Sequence, residues 1–118
     1  MSDDVTIWHN PRCSKSRGAL EILAERGVSA TEFRYVDEHP SRAEIERVLG
    51  LLGTDDPMSI VRTGEQVWKE LGVDPSDRES VLDALAAHPI LIERPIVIRG
   101  DRAVVGRPPE NVLGLLDG

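Results

Sequence analysis

Apolar and polar positions alternate through Val5-Thr6-Ile7-Trp8-His9, the period of a half-buried strand, and the run stops at Asn10-Pro11. From Ser14 to Arg26 the period lengthens. Ala19, Leu20, Leu23 and Ala24 recur at helical spacing and Gly27 follows as a C-cap, so this stretch predicts an amphipathic helix. Alternation returns in "TEFRYV" (31–36), which predicts a second strand and a β-α-β opening, most simply with parallel strands. The cysteine at position 13 therefore falls where a strand hands over to a helix.

The middle third reads as helical. Pro40 and a Ser41-x-x-Glu44 capping box precede Ile45, Val48, Leu49 and Leu52, which run at helical spacing to Gly53. Asp56-Pro57 starts a short helix by N-cap and N1 proline, "GEQVWKELG" (64–72) reads as another, and Ser76-x-x-Glu79 predicts a second capping box before Val81, Leu82, Leu85 and Ala86. After His88-Pro89 the period shortens again. "PIVIRGDRAVVG" (95–106) holds two β-rich runs around Gly100-Asp101, a hairpin signature, and "PPENVLGLL" ends the pattern with a proline-started helix. The order β-α-β, helices, β-β-α is that of an α/β layered fold: a thioredoxin-like (glutaredoxin-like) mixed sheet with a helical insertion at about 41–88, in a single domain over 1–118.

Composition changes this picture little. The 118 residues, 40% hydrophobic and 30% charged, are enough for a core without disulfides or a structural metal. No apolar run approaches the ~20 residues that cross a bilayer, and the N-terminus lacks a signal-peptide pattern, so a cytoplasmic protein with no membrane partner is expected, and a monomer.

Charge changes it more. A net charge of −7 argues against nucleic acid as a partner. Yet residues 5–20 carry Arg12, Lys15 and Arg17 with no acid, and residues 94–109 carry Arg94, Arg99, Arg102 and Arg107 against Asp101 alone. Two cationic islands in an anionic chain suit a small anion better than a polymer.

Cys13 lies in the first island. As the single cysteine it has no internal disulfide partner. A cysteine of this kind is a buried filler, a reactive thiol, or half of a bond to another molecule. A helix N-terminus and neighbouring cations both favour the thiolate, and the backbone N–H groups of residues 14–16 would form an oxyanion nest, so the reactive reading is preferred. Arg12, Ser16 and Arg17 are then candidates to support the thiolate or the oxyanion. His9 either assists proton transfer or caps the strand. With Ser16 where dithiol oxidoreductases carry a second cysteine, turnover needs an external thiol. Arg94 precedes Pro95 at the place where thioredoxin-like folds set a cis-proline loop, and Arg107 precedes the last helix. Arginine's planar fork matches tetrahedral oxyanions such as arsenate, phosphate or sulfate.

Taken together, "HNPRCSKSR", "HPILIERPIVI" and "VVGRPPENVL" resemble the glutaredoxin-dependent arsenate reductase family over nearly the whole chain. The resemblance implies a thioredoxin-like fold with Cys13 as nucleophile and His9 as the upstream histidine. It implies Arg62 (in "SIVRTGE"), Arg94 and Arg107 as substrate-binding arginines. The implied chemistry is attack of Cys13 on arsenate, addition of glutathione or a similar low-molecular-weight thiol as co-substrate, and removal of that thiol by glutaredoxin as arsenite leaves. No bound cofactor or metal is implied. The run Ser14-Lys15-Ser16, Gly106 where some members have cysteine, and the end at Gly118 resemble the short chromosomal members. Two other functions are compatible with the pattern: an Spx-like regulator binding RNA polymerase, which usually needs a Cys-x-x-Cys pair, and a monothiol oxidoreductase acting on mixed disulfides.

Overall fold

Successive strand side chains face opposite ways, so Val5 and Ile7 share one face and Thr6 and Trp8 the other. In the computed structural model, which describes residues 4–116, this strand is β1 (Val5–Trp8). It is followed by α1 (Ser14–Glu25), β2 (Ala30–Phe33), α2 (Tyr35–Glu38), α3 (Arg42–Leu52), α4 (Gln66–Leu71), α5 (Arg78–Ala87), β3 (Ile96–Arg99), β4 (Arg102–Val105) and α6 (Val112–Leu116). Short 3-10 turns lie at Pro57–Ile60, Pro89–Leu91 and Pro109–Asn111. The contacts divide the chain into two compact units, one running through Tyr35 and resuming at Arg94, the other Val36–Glu93.

The first unit is a four-stranded mixed sheet of order β2-β1-β3-β4. β1 is parallel to β2 and antiparallel to β3, and β3 is antiparallel to β4. Val5 and Ile7 pack with Ala19 and Leu23 of α1, Val97 of β3 and Val112 and Leu115 of α6 in one buried cluster. Removing a side chain such as Leu23 from water contributes about 2 kcal/mol. On the opposite face, Trp8 meets Phe33 edge-on at 5.3 Å and stacks on Tyr35 at 6.2 Å. The βαβ opening, the antiparallel hairpin and the closing helix make this sheet thioredoxin-like.

The expected strand over 31–36 is shorter and earlier. The ladder with β1 ends where Trp8 pairs with Phe33, and Tyr35, wholly buried, then turns onto Trp8 and opens α2. Packing of a large aromatic ring overrides the local alternation.

In the second unit α3 packs on α5, burying Ile45, Val48 and Leu49 of one and Val81, Leu82, Ala84 and Leu85 of the other. The Ser41–Glu44 capping box forms as the sequence predicts, with both reciprocal bonds present at 3.0 and 3.1 Å. The second predicted box does not form. Asp77, not Ser76, caps α5, accepting from the Ser80 N–H, while Ser76 turns back to the Asp74 carboxylate. A carboxylate at a helix N-terminus gains from the macrodipole as well as from the hydrogen bond.

Candidate active site

The register of the sheet gathers residues that are far apart in sequence. Trp8 pairs with Ile96, and Ile96 pairs with Val105. The residues just after β1, just before β3 and just after β4 therefore leave the sheet at the same end: His9 and Asn10, Arg94 and Pro95, Gly106 and Arg107. Gly106 confirms the alignment by donating its N–H to the Pro95 carbonyl at 2.8 Å. The Arg94–Pro95 peptide is cis, as the fold class predicts, and so is Arg107–Pro108.

Cys13 is the N-cap of α1, half-buried, with extended backbone (φ −98°, ψ 123°). Burial pushes its thiol pKa up. The N–H of Ser16, a hydrogen bond from the Arg94 guanidinium, the N–H of Lys15 and the Arg94 charge more than offset this, so the pKa is lowered overall. The first turn of α1 contains no acidic side chain to oppose them. The sulfur makes no geometric capping bond, which leaves these donors able to serve an oxyanion at the same place.

The loop carrying Cys13 is locked from below. Ser16 is wholly buried; its Oγ accepts the Asn10 N–H at 3.0 Å and bonds His9 Nδ1 at 2.7 Å. Asn10 accepts the Cys13 N–H on its carbonyl and the Arg12 N–H on Oδ1, both at 3.0 Å. Arg17 donates to the Pro11 carbonyl at 2.8 Å. Ser16 thus does more than occupy the place of a second thiol: its backbone faces Cys13 and its side chain anchors the loop. His9, 3% exposed, is engaged by Ser16, and the groups acting on the Cys13 thiol are Ser16, Lys15 and Arg94. Burial lowers the His9 pKa, Glu32 opposes this, and Arg34 and Arg17 reinforce it, so the ring is neutral at neutral pH. Arg12 and Lys15 are exposed.

Of the remaining arginines, Arg107 is exposed directly after Gly106, its carbonyl accepting from Asn111 Nδ2 at 3.1 Å. Arg62 belongs to the second unit, where its side chain reaches Glu65 at 3.3 Å and Glu93 at 3.2 Å. Its N–H donates to the Leu91 carbonyl at 2.7 Å beside the Val61–Ile92 bridge. Arg99 and Arg102 serve the fold instead, both donating to the Leu115 carbonyl at the end of α6. Sequence reasoning passed over Asn10, taken as a strand stop, and the carboxylates around Arg62. An Asn-Pro pair just before a helix was the available signal for the first, since asparagine side chains tie such turns; nothing local signalled the second.

Among the described residues no group of three or more His, Cys, Asp and Glu could hold a metal ion, and no helix is long and apolar enough to cross a membrane.

The family model described as ArsC matches residues 8–115. An arsenate reductase of Neisseria meningitidis is 44% identical over 115 residues, covering 96% of this chain and 98% of that protein. An arsenate reductase of Haemophilus influenzae is 41% identical over 114 residues, 95% and 98% of the two chains. The solved structure of an arsenate reductase from Vibrio cholerae superposes with a TM-score of 0.90 at 39% identity, covering 97% of this chain and 98% of that one.

Proposed function

The chain belongs to the ArsC family, and from that premise we propose that it reduces arsenate to arsenite by thiol chemistry at Cys13. The observation that carries this reading is the place of Cys13 as N-cap at the open end of α1, where the Ser16 and Lys15 N–H groups and Arg94 favour its thiolate. A thiol with a lowered pKa and an oxyanion site of backbone N–H groups and arginine are what displacement at a tetrahedral arsenic requires.

In the proposed cycle the Cys13 thiolate attacks arsenic, forming an S–As bond as one oxygen leaves as water. Arg94 and Arg107 and the α1 N–H groups hold the remaining oxygens. For Arg62 the family pattern is the support. An external low-molecular-weight thiol, glutathione or its equivalent, displaces a second oxygen as water. A further thiol, that of a glutaredoxin, then attacks the sulfur of the bound co-substrate. The two sulfurs leave as a disulfide, their electron pair stays on arsenic, and As(V) becomes As(III). Hydrolysis of the Cys13–As bond releases arsenite and restores the thiol. The reading includes a cytoplasmic monomer with glutaredoxin as its partner.

The test is arsenate-dependent NADPH oxidation in a glutathione, glutathione reductase and glutaredoxin couple. Wild type turns over, Cys13→Ser does not, and Arg94→Ala loses about a hundredfold in kcat/KM, the cost of one oxyanion donor. A wild type without turnover whose thiol still alkylates at neutral pH would overturn arsenate reduction in favour of a monothiol oxidoreductase on mixed disulfides.

A further inference from the structure

Pro11 has no N–H to offer, so the turn that follows Asn10 holds two backbone donors in need of partners, those of Arg12 and Cys13. Asn10 takes both. Its carbonyl accepts the Cys13 N–H and its Oδ1 accepts the Arg12 N–H, each at 3.0 Å, while its own N–H donates to Ser16 Oγ at 3.0 Å. The partner fixes which way the amide faces, because Nδ2 cannot accept from a backbone N–H. Two of these three bonds use main-chain groups that any residue but proline would supply at position 10. The Oδ1 bond is the one that needs asparagine, whose side chain stands in for a backbone carbonyl in such turns. Asn10 is 9% exposed and Ser16 is wholly buried, so the turn is anchored on its inner side and closed by the asparagine side chain. Cys13 leaves the turn with extended backbone and becomes the N-cap of α1; the first N–H to return into the helix is that of Arg17, to the Cys13 carbonyl at 3.0 Å. The donors up to the thiol are thus spent on Asn10, and those of residues 14–16 stand open beside the N-cap.

We propose that Asn10 is a positioning residue of the thiol site: its side-chain Oδ1, by holding the Arg12 N–H, locks the turn that delivers Cys13 to the N-cap of α1 and so keeps the sulfur at the open N–H groups of the first helical turn. Asn10 acts through the turn and touches no reacting atom. This role rests on Cys13 being the nucleophile of the proposed cycle, but not on arsenate being its substrate.

The test uses iodoacetamide, a neutral reagent that needs no oxyanion site. The pH dependence of Cys13 alkylation, amide exchange at the Arg12 N–H by NMR and thermal unfolding are measured for wild type, Asn10→Ala and Asn10→Ser. Ser41→Ala, which loses the cap of α3, is the control for lost stability alone. Asn10→Ala is expected to speed exchange at Arg12, move the titration midpoint upward and lower the alkylation rate at neutral pH about threefold. Serine closes the same kind of turn more weakly, so Asn10→Ser falls between the two in both readings, and Ser41→Ala keeps the wild-type midpoint. An unchanged midpoint in Asn10→Ala overturns the proposal even if stability falls. So does a raised midpoint in a variant whose Arg12 N–H stays protected, or a shift in Ser41→Ala as large as that in Asn10→Ala. If Asn10→Ala does not fold, Asn10→Ser decides: exchange at Arg12 and the midpoint rise together if the turn positions the thiol, and faster exchange with an unmoved midpoint refutes it. Absence of arsenate turnover with these shifts present strikes the reductase reading and leaves the role of Asn10 standing.

Discussion

At the scale of single residues, two ionisable groups just beyond β1 have lowered pKa values, each for its own reason. The Cys13 pKa is lowered despite burial, so the thiolate is present at pH values where an ordinary cysteine is protonated. Its contribution to stability is complete above the ordinary thiol pKa and is lost as pH falls through the lowered one. His9 is held neutral by burial, with Glu32 opposing and Arg34 and Arg17 assisting. Its folded pKa lies below the usual 6.5, so the neutral ring stabilises the fold above pH 6.5 and that stability disappears as pH falls through the folded value. Urea unfolding at pH 7.5 and 5.5 should therefore show a larger acid-induced loss for wild type than for His9→Asn, which has no ring to protonate. Equal losses would mean that His9 does not titrate differently on unfolding. Cys13 was legible from its neighbours alone, because a helix start and an acid-free stretch are local features. The partnership of His9 with Ser16 was not, since seven residues of strand, turn and helix must fold back to make it.

At the scale of elements, local signals were reliable where the capping group has no rival. Ser41 faces Glu44 with the hydrogen bonds of a full box, and Ser41→Ala should cost about 1 kcal/mol in urea unfolding with the m-value unchanged. A change below a few tenths would show that α3 is held by its packing on α5 alone. At α5 two adjacent residues competed for the cap and the carboxylate of Asp77 won, a choice that spacing could not decide. The end of β2 was misread for a different reason. Alternation continues to Val36, but the ring of Tyr35 gains more by stacking on Trp8 than the backbone gains by another ladder pair.

At the scale of the whole molecule, charge sets up a contest. The chain carries −7 overall, whereas the thiol loop has no acid in its vicinity along the sequence. At ~0.01 M salt the Debye length of about 30 Å lets an approaching anion feel most of the protein's charge; at ~0.15 M it is about 8 Å and the local cations dominate. The KM for arsenate should therefore fall, by roughly twofold, between these ionic strengths when the added salt is one whose anion does not compete. A KM that rises instead would show that the cationic islands govern attraction even at long range.

The hydrophobic periods alone determined the order of elements and the place of Cys13, because strand alternation, helical spacing and capping are written within a few residues of one another. The same reading named Arg94 and Arg107 as candidates, through cationic runs and proline motifs, without showing what they would meet. Tertiary structure decided where they sit. The ladder aligning Trp8, Ile96 and Val105 brings the ends of three strands together, so the thiol loop, Arg94 and Gly106 share one end of the sheet. Strand register is a property of paired chains rather than of any one of them, and it is register that turns residues about 80 positions apart into neighbours.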